Sequence, residues 1–389
     1  MISPHPRLAS LTITLALAAT VASEACNVPV FRYALERWQP DAYRLVVLHR
    51  GALAPPDAAR IAALREESLA GSGHCNLEVT ETDLTAEKSS HHRELWERQN
   101  QKDDALPWAV LLGPLHRDQP VTVWAGPLAE VDPARLLDSP ARKELVRRLA
   151  SGDSAVWLLV TSGKRKPDNQ AAKMIAEKTK MLQEEMQLPP GIGEPGSELY
   201  SEIPLKIKFS TLKIARDDPA ERVFVDMLIA GQPSLKEEKG PLAFVAFGRA
   251  RVLGGVGGED LNEDVIVEAS AMLCGPCSCQ MKEMNPGYDL LARAQWDALV
   301  TGELAGPHEM PELKGFSEFA AAAANPPATA PAPTAGPPAA PMTNLADLAT
   351  QPRGPEPRGT LLPAVATVVA AALVLLLAAS ALILRRKKP

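Results

Sequence analysis

The sequence predicts an α/β protein whose body repeats one order of strands and helices twice, followed by a linker and a single membrane-spanning helix. Three observations support this prediction. Between residues 26 and 319, apolar runs of strand length alternate with amphipathic stretches of helix length. A Pro/Ala-rich stretch follows, and an uncharged apolar run then comes close to the end of the chain. A length of 389 residues suffices for two domains of ordinary size.

The first repeat covers residues 26–152. Apolar or alternating runs predict four strands, and 3.6-residue periodicity with Pro and Ser start signals predicts three helices. The strands are expected at 43–49, 75–84, 107–112 and 121–125, and the helices at 55–69, 86–101 and 141–150.

The second repeat covers residues 153–319 and follows the same order. Asp168 and Asp260 are expected to cap its first and third helices, since a carboxylate accepts hydrogen bonds from the first N–H groups of a helix. The strands are expected at 155–161, 205–214, 241–247 and 249–253, and the helices at 169–187, 219–230 and 261–273.

Both repeats read β-α-β-α-β-β-α, and in both a proline directly precedes the third strand: Pro107 and Pro241. This pattern resembles the thioredoxin fold, which has that element order and a cis-proline at that place. The resemblance implies two tandem thioredoxin-like domains. Another pair of α/β sandwiches, or one larger α/β domain, stays open as an alternative.

The thioredoxin family carries its working cysteine pair between the first strand and the first helix, where the helix N-terminus favours the thiolate. The matching stretches here are residues 49–54 and 162–167, and neither contains cysteine. Units of this family without the pair serve as binding or spacing modules. The resemblance therefore implies a non-catalytic role with no cofactor.

One cysteine cluster is present, at Cys274, Cys277 and Cys279. Its first four residues match the core of the thioredoxin active site, but the pattern places them after a helix, whose C-terminal end opposes thiolate formation. Three interpretations compete: a structural disulfide or tight turn, a redox-active dithiol at Cys274 and Cys277, and a copper(I) or zinc site. Three thiolates leave zinc one ligand short.

The expected mature chain holds five cysteines, an odd number, so an oxidising compartment leaves at least one unpaired. Cys26 and Cys75 are candidates for a structural disulfide in the first repeat. Cys26 would be the first mature residue and is also a candidate for lipidation, although Ser23 and Glu24 fit a lipidation site poorly.

Both ends of the chain predict export and anchoring. Residues 1–25 have the charge, apolar stretch and small residues of a signal peptide. Residues 320–360 form a Pro/Ala-rich linker that favours extended polyproline II conformation. The uncharged residues 361–384 are long enough to span a bilayer, and the basic residues 385–389 mark the cytoplasmic side. We expect a single-pass membrane protein with an extracytoplasmic body, periplasmic or at the cell surface.

A net charge of −6 argues against a nucleic-acid partner. We expect instead a membrane or periplasmic protein partner. The stretches 25–38 and 275–280 also resemble a group of exported bacterial proteins, mainly of planctomycetes, from which no activity carries over. The sequence thus favours a membrane-tethered binding or assembly module. The alternative is a tethered thiol–disulfide oxidoreductase or soft-metal protein that uses Cys274, Cys277 and Cys279.

Overall fold

The computed structural model describes residues 27–86, 90–116, 119–277 and 282–302, which belong to one compact unit. The expected signal peptide, linker, membrane helix and basic tail lie outside the described residues, as do Cys26 and Cys279. Among the described residues, no helix is long and apolar enough to cross a membrane.

The chain forms nine α-helices and nine strands in these described ranges. The helices are α1 (Val30–Arg37), α2 (Pro55–Glu67), α3 (Ser90–Arg98), α4 (Pro133–Leu137), α5 (Pro140–Ala150), α6 (Arg165–Glu185), α7 (Arg222–Gly231), α8 (Glu263–Cys274) and α9 (Trp296–Thr301). The strands are β1 (Tyr43–His49), β2 (Leu77–Asp83), β3 (Trp108–His116), β4 (Gln119–Pro127), β5 (Ala155–Thr161), β6 (Phe209–Ala215), β7 (Leu242–Phe247), β8 (Arg251–Gly257) and β9 (Tyr288–Asp289).

The strands build two mixed sheets of matching topology, which confirms the predicted α/β class. The first sheet has the order β2-β1-β3-β4, with β1 parallel to β2 and antiparallel to β3. The second has the order β6-β5-β7-β8-β9, with β5 parallel to β6 and antiparallel to β7. The short β9 extends the second sheet alongside β8.

Both faces of each sheet are covered, which explains why the central strands are apolar throughout. On β1, Leu45 and Val47 pack in the same core as α2, whereas Val46 and Leu48 pack with Leu95 of α3. The faces of β5 divide in the same way. Its odd-numbered residues pack with α6 and α8, and its even-numbered residues pack with α7. Alternate residues of a strand point to opposite faces, so burial on both sides requires unbroken apolar runs.

The two repeats share one layer of helices. Helix α7 of the second repeat contacts β3 and β4 of the first sheet, while α5 of the first repeat contacts β5 and β6 of the second. One continuous hydrophobic cluster therefore crosses the predicted boundary between residues 152 and 153.

A buried carboxylate joins the repeats within this layer. Glu221, only 4% exposed, accepts hydrogen bonds from the Ser139 hydroxyl (2.5 Å) and the Ala141 amide (2.8 Å). Ser139 is the N-cap of α5, so the negative charge lies at the positive end of that helix. Breaking this contact leaves buried polar groups of both repeats without partners.

Helix α1 lies outside the predicted pattern, because it belongs to the first repeat in sequence but packs against the second sheet. Its Arg32 and Glu36 are buried and form a 2.7 Å ion pair. Glu36 also accepts hydrogen bonds from the amides of Tyr200 (3.0 Å) and Ser201 (3.1 Å). These bonds hold α1 against the loop that joins α6 to β6.

Several local predictions need correction. Asp168 lies inside α6 and accepts from the amide and hydroxyl of Ser162, so it is not the N-cap. Asn262, rather than Asp260, caps α8 by accepting from the Val265 amide. Asp168 is the fourth residue of α6, and Asn262 directly precedes α8. Short Asp and Asn side chains near a helix start form such local hydrogen bonds to the backbone, and the loop geometry decides which of them is the cap.

The expected pair of cis-prolines is present only in the first repeat. The Leu106–Pro107 bond before β3 is cis, whereas the Gly240–Pro241 bond before β7 is trans. The Gly240 carbonyl accepts a hydrogen bond from Arg216 (2.6 Å) in this trans geometry. The equivalence of the two prolines in sequence therefore does not extend to their backbone conformation.

Candidate functional site

The cysteine cluster begins where α8 ends. Cys274 is the last residue of that helix and Gly275 follows as its C-cap. Cys274 is 2% exposed and Cys277 is 1% exposed, and both belong to the hydrophobic cluster between the second sheet and its outer helices. Both described cysteines of the cluster are therefore core residues.

The N-terminal segment covers this turn. Pro29 and Pro276 form an antiparallel bridge, flanked by hydrogen bonds from the Val30 amide to the Gly275 carbonyl (3.1 Å) and from the Cys277 amide to the Val28 carbonyl (3.0 Å). A short two-stranded pairing thus holds the turn against α1. A substrate could not reach Cys274 without displacing this segment.

Electrostatics in this turn oppose a reactive thiol. Burial raises the pKa of the Cys274 thiol from 9.0 to about 12. The position at the C-terminal end of α8 acts in the same direction, because the helix dipole places partial negative charge there. Nucleophilic cysteines have the opposite setting, with a lowered pKa and an accessible sulfur.

The chain beyond the cluster is anchored by a buried ionic group. The Lys282 ammonium pairs with Asp41 (2.7 Å) and with Asp289. Asp289 is 2% exposed and also binds Arg251 at 3.1 Å. These charges connect β9 and the second sheet to the segment that leads into β1.

Cys75 lies apart from the cluster, in the core shared by the two repeats. It is a free thiol, and burial raises its pKa to about 12. The predicted Cys26–Cys75 disulfide stays a prediction, because Cys26 lies outside the described residues. No group of three or more potential metal ligands occurs within the described ranges, and Cys279, the third thiol of the predicted soft-metal site, falls outside them.

The two turns that would hold a thioredoxin-type cysteine pair have structural roles. In the first, the Gly51 amide donates to Asp83 (3.2 Å) and a ring nitrogen of His49 lies 2.7 Å from the Gly51 carbonyl. In the second, Asp168 accepts from Ser162 (2.8 Å). Neither turn places a cysteine at the start of the following helix.

A cleft of about 530 Å³ lies where three distant segments meet. The turn between α2 and β2 forms one wall, the link from α1 to β1 another, and the approach to α9 the third. Its lining is Gln39, Pro40, Leu69, Ser72, Gly73, Asn76, Ala292, Ala294, Gln295, Trp296, Asp297 and Ala298. A cleft of this size is typical of sites for small ligands or short peptide segments.

Buried hydrogen bonds hold the cleft in shape. Asn76 donates to the carbonyls of Asp41 (2.8 Å) and Leu290 (3.1 Å), and its carbonyl accepts from the Ala292 amide (3.0 Å). On the opposite side, the Asp297 carboxylate pairs with the buried Arg249 at 2.7 Å. The cleft walls are therefore set by the folded core.

Sequence patterns do not reveal this cleft. Its lining residues come from three segments that are far apart in the chain, and none of them forms a spaced motif. Leu69 is 48% exposed and belongs to the lining, but only the structure shows that exposure. No family model matches the chain, and a comparison with curated proteins finds no match.

Proposed function

We propose that this chain is an exported, membrane-tethered binding or assembly module, built from two thioredoxin-like repeats, that does not catalyse thiol–disulfide exchange. The observation that carries the proposal is the setting of Cys274. This thiol is buried at the C-terminal end of a helix with its pKa raised to about 12, and the turns after β1 and β5 have no cysteine.

The strand topology supports the thioredoxin-like part of the proposal. Each repeat has a central parallel pair followed by two antiparallel strands, in the order 2-1-3-4. In the first repeat, a cis-proline precedes the third strand at Pro107. The second repeat departs from the resemblance at Pro241 and in its additional strand β9.

A thiol-exchange assay on the full chain in detergent tests the catalytic part. The protein is equilibrated with glutathione redox buffers, and the rate of disulfide transfer to a reduced peptide is measured beside a triple Ser variant of Cys274, Cys277 and Cys279. We expect wild type and triple variant to match the uncatalysed rate. Faster exchange by wild type alone would overturn the non-catalytic function.

One observation favours the alternative function of binding copper(I) or zinc: Cys274 and Cys277 lie in the same hydrophobic cluster, and Cys274 is a free thiol. Copper(I) titration of the same two proteins tests it. Binding at one equivalent that the triple variant loses would establish a metal-handling role. Equal, weak uptake by both proteins is the result expected for a binding module.

The tethering and the membrane or periplasmic partner rest on the sequence of the two termini. A reporter that is active only outside the cytoplasm should be active when fused before residue 320 and silent after Lys388. The reverse pattern would contradict the proposed orientation. Cross-linking of the full chain in its native membrane should then capture a protein neighbour.

A further inference from the structure

We propose that Cys26 and Cys279 form a disulfide that closes the two-stranded pairing over the Cys274 turn. Both cysteines lie outside the described residues, one residue before Asn27 and two residues after Cys277. The inference rests on the export in the proposed function, because an oxidising compartment favours disulfides. It does not depend on whether the chain is an enzyme or a binding module.

The described pairing sets the register of the two strands. Hydrogen-bonded pairs alternate with non-hydrogen-bonded pairs in an antiparallel ladder. Pro29 and Pro276 lie opposite each other as a non-hydrogen-bonded pair, where the missing N–H of proline costs little. The next pair toward the N-terminus is Val28 with Cys277, whose amide donates to the Val28 carbonyl (3.0 Å). The register therefore advances by one residue on each strand.

Asn27 continues this alternation. Its amide donates to the Ser197 hydroxyl (2.9 Å), so this N–H points away from the partner strand, as in a non-hydrogen-bonded pair. One further step in the same register brings Cys26 opposite Cys279, as a hydrogen-bonded pair. The Cα atoms of such pairs are about 5.5 Å apart, which lies within the ~4.4–6.8 Å range of disulfides.

The same register puts both cysteines on one face of the pairing. Val28 is 0% exposed and Cys277 is 1% exposed, and both belong to one hydrophobic cluster. Side chains alternate between the two faces of a strand, so residues two positions apart share a face. In this register Cys26 shares a face with Val28, and Cys279 shares it with Cys277. The two thiols are therefore on the same side, as a disulfide requires.

The other cysteines are poorer partners for Cys26. Cys277 is its diagonal neighbour, and the Cα atoms of diagonal pairs are about 7–8 Å apart, at or beyond the limit of about 7 Å for a disulfide. Cys274 is farther along, at the end of α8. Cys75 belongs to the hydrophobic cluster on the other face of the second sheet from Val28. The register therefore favours Cys279.

Formation of the bond needs an oxidant that itself carries a disulfide. The Cys26 and Cys279 thiols together give up two protons and two electrons as their S–S bond forms, and the oxidant takes these up and becomes two thiols. The bond closes a loop of about 250 residues, which restricts the unfolded chain and so stabilises the fold. It also limits opening of the pairing that covers Cys274.

Disulfide mapping of the full chain in detergent tests the pairing. The protein is equilibrated with oxidised glutathione, the remaining thiols are alkylated, and tryptic peptides are mapped without reduction. Trypsin puts Cys26 and Cys75 on separate peptides and the cysteine cluster on residues 252–282. We expect the Cys26 peptide to be linked to residues 252–282, with fragmentation assigning the bond to Cys279. Since the oxidant is supplied, this result is independent of the reporter fusions that test export.

A variant with a shifted thiol is the matched control. Cys279→Ser combined with Ser278→Cys keeps one thiol in the strand but moves it to the opposite face. This variant should lose the link to Cys26, whereas Cys277→Ser should keep it. In wild type, reduction should lower the unfolding temperature by several degrees and speed Cys274 alkylation several-fold, because the pairing opens more easily. In Cys279→Ser, reduction should change neither.

Three results would overturn the proposal. A bond from Cys26 to Cys75, Cys274 or Cys277 would show that the register does not continue to Cys279. Complete alkylation of Cys26 in the oxidised chain, or a lipid on its sulfur, would show that the bond does not form. Equal linkage in the shifted-thiol variant would show that strand register does not select the partner.

Discussion

The reactivity of Cys274 offers the most direct measurement of the environment of the cysteine cluster. Alkylation by iodoacetamide requires the thiolate. With a pKa of about 12 in place of 9.0, the thiolate fraction at pH 8 falls from about one tenth to about one ten-thousandth. The structure therefore predicts alkylation at least ~1,000-fold slower in the folded chain than in the unfolded chain.

The assay is timed alkylation of the full chain at pH 8, with each cysteine quantified by peptide mapping. Val267→Cys provides a matched reference, because Val267 lies on the same helix and is 36% exposed. That engineered thiol should react at nearly the rate of a free cysteine. Cys274 should react so slowly that local opening of the Val28–Val30 pairing limits its rate.

A Cys274 rate within tenfold of the Val267→Cys reference would refute this reasoning. It would mean that the sulfur is accessible and its pKa close to or below the ordinary value. The redox alternative would then regain its physical basis, despite the position of the thiol at the end of α8.

Three further predictions concern stability. Glu36→Ala leaves the buried Arg32 without its charge partner and should lower the free energy of unfolding in urea by about 3–5 kcal/mol. Glu202→Ala, at an exposed position, should change it by less than about 0.5 kcal/mol. Similar values for the two variants would contradict the role of the buried pair. Glu221→Ala leaves the Ser139 hydroxyl and the Ala141 amide without their acceptor and should lower the free energy of unfolding by about 1–3 kcal/mol, with Asp217→Ala, at an exposed position, as its neutral control. An unchanged urea midpoint would show that the junction of the repeats does not depend on this carboxylate. Because burial raises the pKa of Cys274 from 9.0 to about 12, the stabilising contribution of its neutral thiol is fully present below pH 9 and is lost as the pH rises to about 12. Cys274→Ala should therefore reduce the decrease in unfolding free energy between pH 9 and 12. The same dependence of unfolding free energy on pH in wild type and variant would contradict the raised pKa.

Elements with a strong local pattern were predictable from sequence. The ranges predicted for β1 and β5 match the structure, since burial on both faces of a sheet produces unbroken apolar runs that end at polar residues. Helix α5 was predicted to within one residue, because Ser139 and Pro140 are a strong start signal. The order of elements, and hence the α/β class, followed from these patterns.

Helix α1 was not predicted, and its composition explains why. Charged residues such as Arg32 and Glu36 are typical of a solvent-exposed helix, yet both side chains are buried. Their partners, Tyr200 and Ser201, lie more than 160 residues away. A buried ion pair is stable only when further hydrogen bonds compensate the loss of water around its charges. Here those bonds come from residues far along the chain, so no local sequence pattern predicts them.

The sequence by itself determined most of the strands and helices and their repeated order, because these depend on periodicity and on turn signals that act over a few residues; α1, α4 and β9 were missed. It also predicted that the cysteine cluster follows a helix, and Cys274 proves to be the last residue of α8. Only the tertiary structure decided that Cys274 is buried, that the two repeats share one helical layer, and that a cleft opens between residues 39–40, 69–76 and 292–298. These features depend on burial and on contacts between segments far apart in the chain, which only the packed fold brings together.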